Sequence, residues 1–161
     1  EEKAAAARTA GADETVIYPA GPLDRAQQKA LSAAFKAACG GDGADVIYDP
    51  VGGDYAEPAL RAIAWGGRYC ILGFPAGIPN LLFNLPLLKG CDICGVFYGN
   101  FAAREPEKNA AHMRQLFSWW QDGNIRPHIA ATFPLEQGGE AIRQLVERKA
   151  IGKLVVKVGE D

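Results

Sequence analysis

The chain has 161 residues, which is enough for one ordinary domain and too few for two large ones. Its hydrophobic fraction of 48% and charged fraction of 22% are typical of globular proteins and exclude intrinsic disorder. The formal net charge of −2 provides no basic surplus, so we expect neither a nucleic acid nor a membrane as partner.

The four cysteines are too few for a disulfide scaffold, and we interpret them as reduced thiols of a cytoplasmic protein. The chain opens within a helical pattern, Glu1-Glu2-Lys3 followed by four alanines. Since a natural protein rarely starts there, we expect a piece of a longer polypeptide.

Helical and extended patterns alternate along the chain, which is typical of an α/β fold with a parallel sheet covered by helices. The predicted elements, in chain order, are helix 1–10, strand 15–18, helix 23–39, strand 44–49, helix 54–64, strand 68–74, helix 85–89, strand 92–98, helix 107–122, an extended segment 128–133, helix 137–149 and strand 153–158.

Local signals refine three of these helices. Asp54 and Glu57 have the spacing of a capping box, with Asp54 as N-cap. The apolar stripe of helix 107–122 comprises Met113, Leu116, Phe117 and Trp120. Helix 137–149 is expected to bury Ile142, Leu145 and Val146.

Glycines stand at the ends of three predicted strands, at Gly52-Gly53, Gly73 and Gly95. Ligands of open α/β sheets bind beyond the carboxyl ends of the strands, and glycine lets a flat ligand approach the backbone. These positions suit a dinucleotide lying across the sheet, although turn geometry alone explains them equally well. A phosphate loop of the GxGxxG kind is absent from the sequence.

Cys91 and Cys94 have the spacing of a zinc or redox pair. Residues three apart in a strand point to opposite faces, and one pair cannot fill four tetrahedral positions. We therefore interpret both as buried thiols and predict no metal site.

Taken together, a series of motifs resembles the carboxy-terminal half of the medium-chain dehydrogenase/reductase superfamily, in particular its zinc-independent quinone oxidoreductase branch, the zeta-crystallin relatives. The resemblance implies a partial Rossmann-type doubly wound parallel sheet that lacks its first two strands. The motifs are Glu1-Glu2-Lys3, Ala10 to Asp13, Val16 to Tyr18, Val46 to Gly53, Gly66 to Arg68, Leu72 to Phe74, Lys89-Gly90, Gly95-Val96, Gly123 to Pro127 and Gly152 to Val156.

The resemblance implies a preference for NADPH, because relatives place a lysine at Lys3 and a tyrosine at Tyr18 near the adenosine 2′-phosphate. A solvated helix lysine and a half-buried strand tyrosine are the structural alternatives. Lys153 corresponds to a residue near the cofactor phosphates, or is an exposed strand-end lysine. The residues implied to lie near the nicotinamide and its ribose are Val51, Gly52, Leu72, Gly73, Phe74, Pro75, Val96 and Phe97.

The resemblance further implies an enzyme that transfers hydride to a quinone or another α,β-unsaturated carbonyl. An enoyl-thioester reductase is a related alternative, and a non-catalytic NADPH-binding or crystallin-like protein is another. The residues that orient substrate belong mostly to parts outside this sequence. We therefore assign no catalytic residue and expect these 161 residues alone to be inactive.

By the same resemblance, residues 1–125 belong to the dinucleotide-binding domain, and residues 126–161 form a segment that returns to the substrate domain. Relatives pair the strand at 92–98 across a two-fold axis, which predicts a homodimer, and cover of this edge by the missing domain is the alternative. In the strand order 3-2-1-4-5-6, the strand at 15–18 is strand 3 and the strand at 44–49 is strand 4. Strands 2 and 1, which would lie between them, are not in this sequence. We therefore expect the chain alone to be poorly stable.

Overall fold

A computed structural model describes residues 1–147 and 149–159. Contacts divide the chain into two compact units, residues 7–100 with residue 1, and residues 2–6 with the chain from Phe101 onward. The expected domain boundary after residue 125 remains a prediction. The helices are α1 (Glu2–Thr9), α2 (Arg25–Cys39), α3 (Ala56–Arg61), α4 (Asn84–Lys89), α5 (Tyr98–Arg104), α6 (Pro106–Gln121) and α7 (Gly138–Val146), and the strands are β1 (Ala44–Asp49), β2 (Ile63–Ile71), β3 (Asp92–Gly95), β4 (Ile129–Pro134) and β5 (Lys153–Lys157).

The first unit contains a three-stranded parallel sheet in the order β1-β2-β3. Its hydrophobic core lies on one face of the sheet, where α3 and α4 pack on β2. The buried residues of this core are Ala56, Leu60, Ile63, Tyr69 and Leu85. On β1, Val46 and Tyr48 are 65% and 70% exposed, so the opposite face of this strand is open in the described residues.

The second unit contains a two-stranded parallel sheet, β4-β5, on which α7 packs. Phe133 of β4 and Ala141 of α7 are buried. These two sheets and their helices confirm the predicted α/β class. The predicted helices at 1–10, 23–39, 85–89 and 107–122 and the strands at 44–49, 128–133 and 153–158 are present with small changes at their ends.

Residues 14–19 form no strand, which corrects the predicted strand at 15–18. A strand needs a neighbour for its backbone hydrogen bonds, and none of the described strands pairs with this segment. A groove of about 390 Å³ lies between this segment and β1, and side chains of α2, including Phe35 and Ala38, contribute to its lining. An open groove therefore lies beside β1, where the strand order 3-2-1-4-5-6 would place strands that are not in this sequence.

The chain around β2 also differs from the prediction. The helix predicted to reach residue 64 ends at Arg61, and β2 already begins at Ile63. Gly66 and Gly67 are part of a bulge within β2, because the register passes from Ala44–Ile63 to Val46–Arg68. At its other end β2 stops at Ile71 instead of residue 74, before the turn in which Gly77 N donates to Phe74 O.

The capping prediction for Asp54 is wrong. A 3₁₀ turn at Gly53–Tyr55 precedes α3, and the Asp54 carboxylate instead accepts a hydrogen bond from Leu23 N at 2.9 Å. A capping box occurs at the start of α2, where Asp24 and Gln27 each bond the other's backbone N–H.

The strand predicted at 92–98 ends at Gly95, opposite the last residue of β2, and α5 already starts at Tyr98. The helix predicted at 137–149 extends only over Gly138–Val146, after a 3₁₀ turn, and residue 148 lies outside the described residues. The predicted burial of Ile142, Leu145 and Val146 is wrong, since all three side chains of α7 are exposed and the described residues do not cover them. The stripe of α6 is exposed as well, at Met113, Leu116, Phe117 and Trp120.

None of the helices in the described ranges combines the length and apolarity needed to cross a membrane. The four cysteines are free. Cys91 and Cys94 are half-buried instead of buried, and Cys91 packs against the hydrophobic core. Their intermediate exposure follows from their position, since Cys94 lies in β3 and Cys91 directly before it, and β3 forms an edge of the described sheet.

Candidate functional site

The carboxyl ends of β1 and β2 carry two loops that are hydrogen-bonded to each other. Ala76 N donates to Val51 O at 3.0 Å, and Gly53 N donates to Gly77 O at 2.7 Å. The contact is so close that a Cβ on Gly52 would lie 2.8 Å from Gly77 O. Glycine is required at this position for a second reason, since its φ of 69° is unfavourable for other residues.

Asp49, the last residue of β1, organises the first of these loops. Its carboxylate is 8% exposed, and Oδ1 accepts hydrogen bonds from the N–H groups of Val51 and Gly52 at 2.8 and 2.9 Å. Oδ2 accepts from the hydroxyl of Tyr69 at 2.6 Å. Burial, followed by this hydrogen bond and the charge of Asp49, raises the pKa of Tyr69 far above its usual value, so the phenol remains a donor.

The structure brings together most of the residues implied to lie near the nicotinamide. Leu72 N donates to Asp49 O at 2.9 Å, and the Val96 N–H bonds the end of β2, so three strand ends meet at one edge of the sheet. Phe74 and Phe97 are exposed there, with Phe74 in the loop after β2 and Phe97 after β3. The geometry leaves the carboxyl edge of the sheet open to a ligand, as expected for an open α/β fold.

Tyr18 lies in the groove beside β1, in an aromatic cluster. Its ring centroid is 4.9 Å from that of Tyr55 and 6.3 Å from that of Phe35. The Tyr55 hydroxyl donates to the carbonyls of Pro19 and Gly21 at 3.3 and 3.2 Å, which fixes the segment after Tyr18. Partial burial, then the charges of Tyr55 and Asp49, raise the pKa of Tyr18, and its hydroxyl therefore stays protonated.

Lys3 and Lys153 belong to the second unit. Lys3 is exposed on α1, and Lys153 is exposed at the start of β5, where its N–H donates to His128 O at 2.8 Å. The exposure of these two residues fits either a phosphate contact or a solvated lysine.

The sequence did not predict that Asp49 organises the loop after β1 or that Tyr69 holds the Asp49 carboxylate. The Asp49-Pro50 dipeptide after an apolar strand was a signal for the loop, because aspartate commonly bonds the backbone two residues ahead. Tyr69 gave no such signal, since its partner lies twenty residues away and only the pairing of β1 with β2 brings the two side chains together.

A family profile described as zinc-binding dehydrogenase matches residues 10–156, so the chain belongs to this family of the medium-chain dehydrogenase/reductase superfamily. Quinone oxidoreductase-like protein 2 of Bos taurus is 31% identical over 98% of the chain, which covers 43% of that protein. The rat protein of the same name is 33% identical with the same coverage. The chain thus spans less than half the length of these relatives.

Solved structures agree on the fold. An NAD-dependent alcohol dehydrogenase superposes with a TM-score of 0.75 at 28% identity, covering 98% of this chain and 41% of the other. A mycobacterial protein solved in complex with NADPH gives a TM-score of 0.82 at 23% identity, covering 98% and 47%. These superpositions identify the present fold as part of the Rossmann-type fold of the two neighbours.

The family description names zinc, so we looked for a set of zinc ligands among the described residues. Within residues 1–147 and 149–159, no three His, Cys, Asp or Glu side chains come together in a way that would hold a metal ion. The described residues therefore do not form a zinc site by themselves, and no chemistry is assigned to zinc.

Proposed function

We propose that the full-length protein is an NADPH-dependent oxidoreductase that transfers hydride to a quinone or another α,β-unsaturated carbonyl. The observation that carries this proposal is the pair of bonded loops at the carboxyl edge of the sheet, in a chain that belongs to a dehydrogenase family and matches quinone oxidoreductase-like relatives. A bound nicotinamide cofactor would supply the hydride, while the protein binds it, orients it and excludes water.

The choice of NADPH depends on Lys3 and Tyr18. An ammonium group and a protonated phenol both donate hydrogen bonds to a phosphate, and the raised pKa of Tyr18 favours the donor form. The relatives and neighbours include both an NAD-dependent enzyme and an NADPH complex, so cofactor choice is a property to be measured on this protein.

The exposed outer edge of β3 supports a second part of the proposal, a homodimer formed through this strand. β3 pairs with β2 on one side only in the described residues. Unpaired strand edges are usually covered, and a second copy related by a two-fold axis provides matching hydrogen bonds. The proposed dimer therefore uses residues 92–95, a shorter segment than the sequence suggested.

An assay of NADPH oxidation by the full-length protein tests the activity, with a quinone and an enoyl thioester supplied in parallel. The enoyl thioester is included because the family resemblance leaves an enoyl-thioester reductase open as an alternative. Faster oxidation with the quinone supports the proposal, and faster oxidation with the thioester assigns the protein to the enoyl reductases. Binding of NADPH without oxidation by either acceptor would favour a non-catalytic NADPH-binding or crystallin-like protein.

We also propose that the activity is independent of zinc and that the protein works in the cytoplasm. Activity unchanged by prolonged dialysis against a chelator, together with a metal content well below one zinc per chain, would support the first statement. Loss of activity that added zinc restores would contradict it.

A further inference from the structure

The carboxylate of Asp49 connects a rigid part of the molecule to a loop that a ligand would contact. Both of its oxygens are used, one by the N–H groups of Val51 and Gly52, and the other by the hydroxyl of Tyr69. A buried carboxylate is costly unless it is fully hydrogen-bonded, so its position is tightly determined by these three donors.

Tyr69 is itself immobile. Its side chain is 1% exposed and belongs to the hydrophobic core with Leu60, Ile63 and Leu85. Apart from Asp49, its hydroxyl lies 3.5 Å from Ala56 O. Core packing therefore fixes the position of the phenol oxygen, and the short hydrogen bond from this hydroxyl fixes the position of the Asp49 carboxylate.

Hydrogen bonds link the Asp49 carboxylate to the loop after β1 and, through that loop, to the loop after β2. The Val51 residue that donates to Asp49 also accepts from Ala76 N, and the neighbouring Gly53 donates to Gly77 O. A shift of the Asp49 carboxylate would thus move the loop after β1 and, through it, the loop after β2. Both loops contain residues that the proposed function places beside the nicotinamide end of the cofactor.

We propose that Asp49, held by Tyr69, is a positioning residue that fixes the two loops for the nicotinamide half of the cofactor, an inference that rests on the proposed function. None of the hydrogen bonds of Asp49 or Tyr69 goes to Tyr18, but the Asp49 charge acts on Tyr18 across the groove that both residues line. Loss of the Tyr69 hydroxyl, which keeps the Asp49 charge, is therefore expected to weaken recognition of the nicotinamide half and to leave the adenosine half unchanged.

Variants of the full-length protein test this role by titration with three ligands, namely NADPH, reduced nicotinamide mononucleotide and 2′,5′-ADP. Tyr69→Phe and Asp49→Ala each remove part of the network, whereas Asp49→Asn keeps an oxygen that accepts from the two loop amides. Tyr48→Phe and Asp45→Asn are matched controls, because both side chains are exposed on the same strand β1.

We expect Tyr69→Phe and Asp49→Ala to weaken binding of NADPH and of the mononucleotide by about tenfold. In Tyr69→Phe, which keeps the Asp49 charge, the affinity for 2′,5′-ADP should stay within about twofold of wild type. Asp49→Asn should recover most of the loss. Amide hydrogen exchange should become faster at Val51 and Gly52 and stay unchanged at Leu60. Equal losses for both cofactor halves, unchanged binding, or unchanged exchange in the loop would each overturn the positioning role.

The two proposals fail in different ways. Wild-type protein that binds neither NADPH nor the mononucleotide would refute the proposed function and, with it, the cofactor role of Asp49. Wild-type protein that binds both, with variants that bind the mononucleotide equally well, would refute only the positioning role.

Discussion

At the scale of single residues, the glycines of the first loop are constrained by their neighbours. Gly53 has a φ of 59°, and a Cβ there would lie 2.6 Å from Ala76 O. A backbone oxygen held by the second loop cannot move away as a flexible side chain would. The glycine that the sequence offered as a ligand contact is therefore needed first for the approach of one loop to the other.

Gly53→Ala is expected to lower the free energy of unfolding by about 1–3 kcal/mol, since it combines an unfavourable φ with a clash. Gly95→Ala is the control, because nothing lies within 4 Å of its added Cβ and its φ is not in the left-handed region. Urea denaturation measures both. Equal stability of the two variants would contradict the assigned loop contact.

The Tyr69–Asp49 hydrogen bond also predicts a pH dependence. An unfolded tyrosine loses its proton near pH 10, whereas the native pKa of Tyr69 is raised by burial and by Asp49. The stabilisation is thus fully present below about pH 10 and is lost as the pH rises above that value. Tyr69→Phe should flatten this decline in a comparison of urea unfolding at neutral and alkaline pH, and an identical decline in both proteins would contradict the assignment.

At the scale of elements, periodicity predicted most helices and the paired strands, because their patterns depend on local sequence. The strand at 15–18 was predicted from its Val-Ile-Tyr composition, but a strand also requires a partner, which the described residues do not supply. The prediction that Ile142 and Leu145 are buried is wrong for a related reason. The spacing of apolar residues shows which face of a helix is apolar, but it does not show whether another element covers that face.

The candidate site divides in the same way. The strand ends and their glycines were visible in the sequence, because turn chemistry is local. The role of Tyr69 was not visible, since it arises from the pairing of β1 with β2. The assignments of Lys3, Tyr18 and Lys153 came from the family resemblance and remain predictions.

The core of the first unit provides a direct test of the fold. Leu60 on α3 is 0% exposed, so Leu60→Ala should lower the free energy of unfolding by about 2–5 kcal/mol. Leu87→Ala on α4 is the matched control, because its side chain is 81% exposed and should cost less than about 1 kcal/mol. A small effect at residue 60 would show that α3 does not pack on β2 as described.

The proposed dimer makes a prediction for β3. Since Val96 N bonds to Ile71 O, alternation along the strand turns the Gly95 N–H toward the outer edge. Gly95→Pro removes this outward donor without removing a bond to β2, and it should shift sedimentation from dimer toward monomer. Gly95→Ala keeps the donor and should remain dimeric. A dimer that tolerates proline would contradict pairing through this strand.

At the scale of the whole molecule, the chain has part of a Rossmann-type fold and spans less than half the length of these relatives.

The proposed cofactor preference should respond to single substitutions. Tyr18→Phe removes one donor and should weaken NADPH binding by about three- to tenfold with NADH unchanged. Phe35→Leu, which alters the neighbouring ring but removes no donor, is the control, and equal losses for NADPH and NADH would contradict a phosphate contact.

The measurement that tests the central claim most directly is isothermal titration of the full-length wild-type protein with NADPH and with NADH. The account predicts saturable binding of NADPH that is clearly tighter than binding of NADH, because Lys3 and Tyr18 are assigned to the 2′-phosphate. Tighter binding of NADH would contradict these assignments, and the absence of binding to either nucleotide would contradict the proposed reductase.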